Sequence, residues 1–145
     1  AVMAATPGFR SAEEFIELVD RVFTMMNEDP QVGPRLHDAD VPQRMEFPDR
    51  ALVLNVRAAH VDEPGCLVWT WSDDIDWTPR VRLTMSSEVA NRYFQGRENL
   101  PIAIARRRIR AGGDLRATLE LITMTKPVYA RYRALLKADF PHLIV

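Results

Sequence analysis

The fold is decided by the stretch Val81-Arg-Leu-Thr-Met-Ser-Ser-Glu-Val-Ala-Asn-Arg-Tyr-Phe-Gln-Gly96, which is followed closely by Arg108-Ile-Arg-Ala-Gly-Gly-Asp-Leu115. Apolar and polar residues alternate at its start, as in a half-buried strand. Ser86 or Ser87 then supplies an oxygen that caps a helix, and Gly96 ends that helix. The stretch therefore predicts a strand, a capped helix and a second strand that turns at Gly-Gly-Asp.

The chain before this stretch begins with a helix. Ser11-Ala-Glu-Glu14 has the form of a capping box, and apolar residues follow it at spacings of three and four. From Glu28 to Asp49 four prolines interrupt the sequence, which predicts a long connection with one helical turn near 32–36. No strand is predicted in this connection.

Two strands are predicted next. Residues 51–59 and 65–72 are rich in β-branched, aromatic and apolar residues, and Asp-Glu-Pro-Gly separates them, which is typical of a hairpin. With the strand at 80–86, they predict three consecutive antiparallel strands.

The segment after Gly96 predicts a short helix over 100–105, a short strand at 108–111 and two C-terminal helices. Asp114 stands where it can cap the first of these two helices, which starts at Leu115. The last helix is predicted from about 125–127 to 138, and Pro141 ends it.

Composition indicates one domain of 145 residues, of which 47% are apolar. We expect residues 1–10 to be a frayed leader. A net charge of -1 argues against nucleic acid as a partner. Cys66 is the only cysteine, and no apolar run approaches the roughly 18 residues of a membrane helix, so we expect a cytoplasmic protein.

Motifs of catalysis and metal binding are weak. His37, His60 and His142 lie in unrelated segments without the spacing of metal ligands. Ser86-Ser87 lacks the flanking glycines of a nucleophile elbow, and the carboxylates at 73–76 lack the pattern of a calcium loop. We therefore expect no catalytic residue, no metal and no cofactor.

Two residue groups are candidates for ligand contact. The first is the basic cluster Arg106, Arg107, Arg108 and Arg110, which is suited to an anionic headgroup or membrane surface but is more typical of a solvated face with nearby acids. The second is the aromatic stripe of Trp69 and Trp71, which is usual in a core and also lines apolar ligand cavities.

The order of these motifs resembles the sterol carrier protein type 2 family over roughly residues 50–136. The matching pieces are the strand and cap at 81–88, the helix end Tyr93-Phe-Gln-Gly96, the Ile-Arg-Ala-Gly-Gly-Asp turn and the apolar helix from Leu115. The resemblance implies an α+β fold: a single curved, mostly antiparallel five-stranded sheet, covered on one face by helices and enclosing an apolar tunnel.

The resemblance also implies non-catalytic binding or transfer of a lipid, such as a fatty acid, an acyl-CoA or a sterol-like molecule. The residues expected to contact the ligand are Trp69, Trp71, Phe94, Ile102, Ala105, Leu119, Ile122, Met124 and Tyr132. Besides the ligand, an anionic membrane that the protein contacts transiently and a second copy of the chain in a homodimer are candidate partners. Two alternatives stay open: a small enzyme with a carboxylate of raised pKa in the same cavity, and a protein-interaction module with an exposed apolar face.

Overall fold

The computed structural model describes residues 8–145. Within them the helices are α1 (Ala12–Glu28), α2 (Val32–Ala39), α3 (Ser87–Phe94), α4 (Leu100–Ala105), α5 (Leu115–Thr125) and α6 (Val128–Asp139). The strands are β1 (Gln43–Phe47), β2 (Leu52–Ala58), β3 (Leu67–Trp71), β4 (Val81–Met85) and β5 (Ile109–Gly113). Short 3-10 turns follow at Pro48–Arg50 and Pro141–Leu143.

The strands form one sheet in the order β3-β2-β1-β4-β5. The pairs β2–β3, β1–β2 and β4–β5 are antiparallel, whereas β1 and β4 are parallel. The predicted fold class, an α+β protein with a mostly antiparallel five-stranded sheet, is therefore confirmed, and the sheet is open. The predicted hairpin is also present, as β2 and β3.

One part of the predicted topology is wrong. The strand at Val81–Met85 does not pair with β3 but with β1, which lies in the segment interpreted as an irregular connection. The chain leaves β3 at the sheet edge and crosses to the far side of β1 through the loop of residues 72–80. Three consecutive strands therefore do not form a meander, because the central position is already taken by β1.

The predicted helix caps are present and fix where several elements begin. The Oγ atoms of Ser11 and Ser86 accept hydrogen bonds from the backbone N–H groups three residues further on, at 3.1 Å each. Asp114 Oδ1 accepts from the Ala117 N–H at 3.0 Å and starts α5. Gly113 has a φ of 82°, and a Cβ there would lie 2.3 Å from the Arg80 carbonyl oxygen, so the turn before α5 requires glycine.

The helices cover one face of the sheet. On β1, Gln43, Met45 and Phe47 share that face, and the register places Val56 and Val81 beside Gln43 on the neighbouring strands. The opposite, outer face carries mainly polar side chains and is crossed by the loop of residues 72–80. The layered arrangement leaves a space between the sheet and the helices.

The N-terminal part of the described chain packs into the core. Phe9 is 8% exposed, and its ring lies edge-on to that of Phe15 with the centroids 4.9 Å apart. The ring of Phe15 also contacts Phe47 of β1, at 4.8 Å. Of the leader expected at 1–10, residues 1–7 lie outside the described residues.

Candidate ligand cavity

An apolar cavity of about 60 Å³ lies between the sheet and the helices. Helices α1 to α5 and strands β1, β3 and β4 all contribute to its wall. The lining residues are Phe23, Met26, Leu36, Gln43, Met45, Phe47, Leu67, Leu83, Met85, Ala90, Tyr93, Phe94, Leu100, Thr118, Leu121, Ile122 and Thr125. The wall thus combines helices that precede β4 in the sequence with helices that follow it.

Gln43 is the side chain in this wall whose polarity is not satisfied by the protein. It stands at the start of β1, on the helix-facing side, and it is 9% exposed. None of the side-chain hydrogen bonds between residues 8–145 involves its amide. Among the described residues only Asn55 Oδ1 is a fully buried side-chain atom without a partner, so the Gln43 amide keeps some access to solvent. A fully buried unpartnered amide costs about 1–3 kcal/mol, and the cost for Gln43 lies below that range unless a bound group completes its hydrogen bonds.

The hydroxyl groups of the wall, in contrast, have partners. Thr118 and Thr125 donate to the backbone carbonyls of Asp114 and Ile122, at 3.0 and 3.1 Å. The Tyr93 hydroxyl lies 3.3 Å from the Thr125 Oγ1 atom. Burial, together with neighbouring Tyr129, raises the pKa of the Tyr93 hydroxyl far above its usual range, so this group stays neutral.

The wall of the cavity carries no charged side chain. Among the lining residues that the structure describes there is no aspartate, glutamate, histidine, lysine or arginine. A charged ligand group would therefore lose its hydration in this cavity without gaining an ion pair. The wall suits a neutral, mainly apolar ligand.

The cavity is smaller than a lipid. An apolar cavity of about 150 Å³ holds benzene, and this one measures about 60 Å³. The continuous tunnel that the resemblance implies is not shown by this conformation. Three methionines of the wall, Met26, Met45 and Met85, have flexible side chains that adapt to changes in the shape of a site.

Two of the predicted contact residues, Phe94 of α3 and Ile122 of α5, line the cavity. Trp69 and Trp71 lie on the same face of the sheet but under α1, outside the wall. Their indole N–H groups both donate to Asp20 Oδ1, at 3.1 and 2.7 Å. The shared acceptor explains why two tryptophans on one strand face are held against the first helix.

The other predicted contact residues lie away from the wall. Ile102 of α4 and Leu119 of α5 are 46% and 57% exposed, and Ala105 is exposed as well. Met124 and Tyr132 are buried elsewhere. The Tyr132 hydroxyl donates to Asn91 Oδ1 at 2.5 Å, and this bond joins α6 to α3.

The basic cluster divides into two parts. Arg108 donates through Nε and Nη2 to Glu98 Oε1, at 2.9 and 2.5 Å, so it belongs to an internal ion pair. Arg106, Arg107 and Arg110 are exposed, and none of them forms a salt bridge within residues 8–145. Within this cluster, Arg106, Arg107 and Arg110 are the cations that remain available to an outside anion.

Several wall residues were not predicted, above all those of β1. The signal was present, because Met45 and Phe47 alternate with Arg44 and Glu46 as in a half-buried strand. Pro42 and Pro48 flank these five residues and favoured a loop. The wall residues of α1 and α2 carried no signal of their own, since any amphipathic helix has such an apolar face.

Residues 8–145 contain neither a candidate membrane span nor a candidate metal site. No helix in this range combines the length and the apolar character needed to cross a bilayer. Across the same range, no three His, Cys, Asp or Glu side chains come together in a way that could hold a metal ion.

Comparison by sequence gives no relative. The chain matches no protein-family model. A search of curated proteins gives no significant match either.

Comparison by structure gives sterol carrier protein 2 domains. The UbiJ-SCP2 ubiquinone synthesis protein has a TM-score of 0.59 at 9% identity, over 88% of this chain and 96% of that one. The sterol carrier protein domain 2 of Helicoverpa armigera has a TM-score of 0.54 at 15% identity, over 88% of this chain and 97% of that one. The apo protein from Yarrowia lipolytica has a TM-score of 0.55 at 11% identity, over 77% and 89%. The resemblance read from the sequence is thus confirmed at the level of the fold.

The inverting sec-alkylsulfatase Pisa1 from Pseudomonas sp. also contains a similar region. Its TM-score is 0.53 at 14% identity, over 63% of this chain. The chain spans only 14% of the length of that enzyme. The similarity therefore concerns one part of a much larger protein and bears on the fold alone.

Proposed function

We propose that this protein binds a neutral lipid, an apolar molecule with one hydrogen-bonding oxygen, and transfers it without changing it chemically. The observation that carries the proposal is the unpartnered Gln43 amide in an uncharged, mainly apolar wall whose hydroxyl groups already have partners. The amide offers both a donor and an acceptor, so it can pair with an alcohol or a ketone. The fold shared with sterol carrier protein 2 domains supports a carrier role.

Fatty acids and acyl-CoA fit this wall less well than neutral lipids. A carboxylate needs a cation or several N–H donors when it leaves water, and the described wall offers only one amide. The exposed cations of the basic cluster do not line the cavity. We therefore place alcohols and ketones with long apolar bodies ahead of the charged lipids.

Binding requires the cavity to expand, and burial of the ligand supplies the free energy. Each methylene that leaves water contributes about 0.8 kcal/mol. A long chain therefore offsets a moderate cost of repacking the wall, to which the methionine side chains adapt most easily. On expansion, the second layer of apolar residues, which includes Trp69, Trp71, Met124 and Tyr132, comes closer to the ligand.

The two alternatives have less support. An enzyme of the kind considered needs a carboxylate in the cavity, and the described wall contains none. An interaction module needs an exposed apolar face in place of a cavity, whereas here a cavity is present.

We also propose the cytoplasm as the compartment, because Cys66 is a free thiol.

The proposal predicts selective binding of neutral chains. We expect fluorescence displacement to show that hexadecanol binds at least tenfold more tightly than palmitate, because only the acid carries a charge into the wall. For shorter alcohols, affinity should rise about fourfold per added methylene until the expanded cavity is full. Equal binding of alcohol and acid contradicts the neutral-ligand proposal, and absence of binding by both contradicts the carrier function.

A matched pair of variants locates the binding. Ile122→Asp puts a carboxylate into the wall and is expected to weaken hexadecanol binding by at least tenfold. Thr123→Asp adds the same charge to the exposed side of α5 and is expected to leave binding unchanged. Circular dichroism confirms that both variants are folded, and equal effects of the two changes contradict binding in this cavity.

Transfer to and from a membrane is the second part of the proposal. Ile102 of α4 and Leu119 of α5 expose apolar side chains, and Ala105, Arg106 and Arg107 follow Ile102 directly along the chain. Exposed apolar groups next to cations are suited to the surface of an anionic bilayer. We propose that these residues contact the membrane while the lipid moves.

Removing the free cations tests this part. Arg106→Gln with Arg107→Gln is expected to slow lipid transfer from anionic vesicles about threefold at low salt, with less effect at high salt or with zwitterionic vesicles. A surface contact of few charges is weak, and a net charge of -1 opposes it. Arg110→Gln alone is expected to give a smaller effect of the same sign. Unchanged rates at low salt remove the arginines from the mechanism.

A further inference from the structure

A groove of about 690 Å³ lies on the outer face of the sheet, opposite the lipid cavity. Its floor is formed by β2 and β3, and one wall is the loop of residues 72–80. The residues that line it are Asn55, Arg57, His60, Val68, Thr70, Asp74, Ile75, Asp76 and Trp77. This volume is in the range of sites for small molecules, roughly 300–1,000 Å³.

Asn55 on the floor of this groove has an unsatisfied oxygen. Leu54 and Val56 face the helices, so Asn55 points to the outer face, where the loop covers it to 1% exposure. Its Nδ2 donates to the Ser72 carbonyl at 2.5 Å, which fixes the orientation of the amide. Its Oδ1 is buried and has no partner among residues 8–145. A buried acceptor of this kind lacks an N–H or O–H donor.

The charged side chains of the groove that have no ion-pair partner are negative. Arg57 donates to both carboxylate oxygens of Glu63, at 2.7 and 2.9 Å, so its charge is neutralised. These hydrogen bonds, with one from the His60 N–H, lower the pKa of Glu63 to about 2. Asp74 and Asp76 are exposed, and neither forms a salt bridge within residues 8–145.

Trp77 adds an aromatic surface to the same wall. It is partly buried and also borders two neighbouring hollows, beside Arg44 and beside His37. Unlike Trp69 and Trp71, it makes no hydrogen bond through its indole N–H within the described chain. Its position in the loop is not explained by the apolar core, because it lies on the opposite side of the sheet.

We propose that this groove binds a small organic cation, a guanidinium or ammonium group attached to a flat apolar body. The cation's N–H groups donate to the carboxylates of Asp74 and Asp76, and the flat body stacks on Trp77. The unpaired Asn55 Oδ1 is the acceptor for a further N–H group, which reaches it when the loop moves off the amide. All of these groups favour the same kind of ligand, one with hydrogen-bond donors, a positive charge and an aromatic or apolar body.

Phenylguanidinium is a suitable probe, with phenylurea as its uncharged analogue of the same shape and benzoate as an anion. Two-dimensional ¹H–¹⁵N NMR separates the indole signals of the three tryptophans. We expect phenylguanidinium to shift the Trp77 signal in a saturable titration, while the signals of Trp69 and Trp71 stay in place. Phenylurea and benzoate should bind at least tenfold more weakly, because neither brings a positive charge.

Single neutralising changes identify the wall. Asp74→Asn and Asp76→Asn are each expected to weaken phenylguanidinium binding about fivefold. Asp62→Asn makes the same change of charge in the exposed hairpin turn, outside the groove, and is expected to weaken it less than twofold. The proposal is overturned if phenylguanidinium causes no shift at Trp77, if phenylurea binds equally well, or if the three aspartate variants behave alike.

Discussion

Glu98→Gln is expected to lower the free energy of unfolding by about 2–3 kcal/mol. The Glu98 side chain is only 4% exposed and accepts hydrogen bonds from Arg92 at 3.1 Å and from Arg108. Its amide replacement leaves Arg108 without an anion and Arg92 with only the exposed Glu88. This loss of stability is smaller than the largest losses seen when one partner of a buried ion pair is removed, because the two guanidinium groups are 28% and 33% exposed and regain some hydration.

Glu88→Gln is the matched control for this prediction. Glu88 contacts the same Arg92, at 3.3 Å, but its side chain is 66% exposed. Its replacement should therefore cost less than about 0.5 kcal/mol. Urea unfolding of both variants measures the difference, and equal losses would show that burial of Glu98 has no energetic role.

The pH dependence of unfolding gives a second test of Glu98. Burial alone raises the pKa of Glu98, but the hydrogen bonds from Arg108 and Arg92 outweigh it, and the net pKa is lowered. A lowered folded-state pKa stabilises the fold above the unfolded-state pKa, and this stabilisation is lost as the pH falls through the folded-state value. The gap between wild type and Glu98→Gln should thus be constant at neutral pH and shrink in acid. A gap independent of pH contradicts an ionised Glu98.

Most of the helices were predictable from the sequence because they carry local signals, whereas α2 was predicted only as a single turn. Ser11, Ser86 and Asp114 all act as the caps predicted for α1, α3 and α5. The pairing of the strands was less predictable. Strand β1 has only five residues between two prolines, and nothing in its own sequence shows that it pairs with β4, 38 positions later in the register. Such long-range pairing depends on tertiary packing.

The cavity could be predicted only in part for a related reason. Phe94 and Ile122 were predicted, since both lie in elements that the family resemblance covers. Leu119 lies in the same helix as Ile122, and Ile102 lies in α4, yet both side chains face solvent, because the sequence does not determine how a short helix is rotated against the sheet. The polar residue that decides the ligand class, Gln43, lies on the missed strand.

Gln43→Met is expected to make the protein more stable and a poorer lipid binder at the same time. Methionine has nearly the shape of glutamine but no unpaired amide, so removing this largely buried amide should raise the free energy of unfolding by up to about 1 kcal/mol. If Gln43 pairs with the ligand oxygen, the variant loses that hydrogen bond, and hexadecanol affinity should fall about tenfold. Urea unfolding and fluorescence displacement measure the two effects.

Gln95→Met separates this site-specific effect from a general effect of removing a buried amide. Gln95 is 1% exposed, and both ends of its amide are paired: Nε2 donates to the Leu143 carbonyl at 3.0 Å, and Oε1 accepts from the Val145 N–H at 3.1 Å. Its replacement leaves the Val145 N–H without this partner and the Leu143 carbonyl with only the bond from Asn91 Nδ2, so stability should fall by about 1–2 kcal/mol while hexadecanol binding stays unchanged. Opposite changes in stability for the two glutamines, with binding lost only for Gln43, are the expected result, because an unsatisfied group that costs stability is retained where it holds the ligand. A loss of stability in Gln43→Met, or unchanged affinity, would show that Gln43 is a structural residue and would leave the neutral-lipid proposal without its main support.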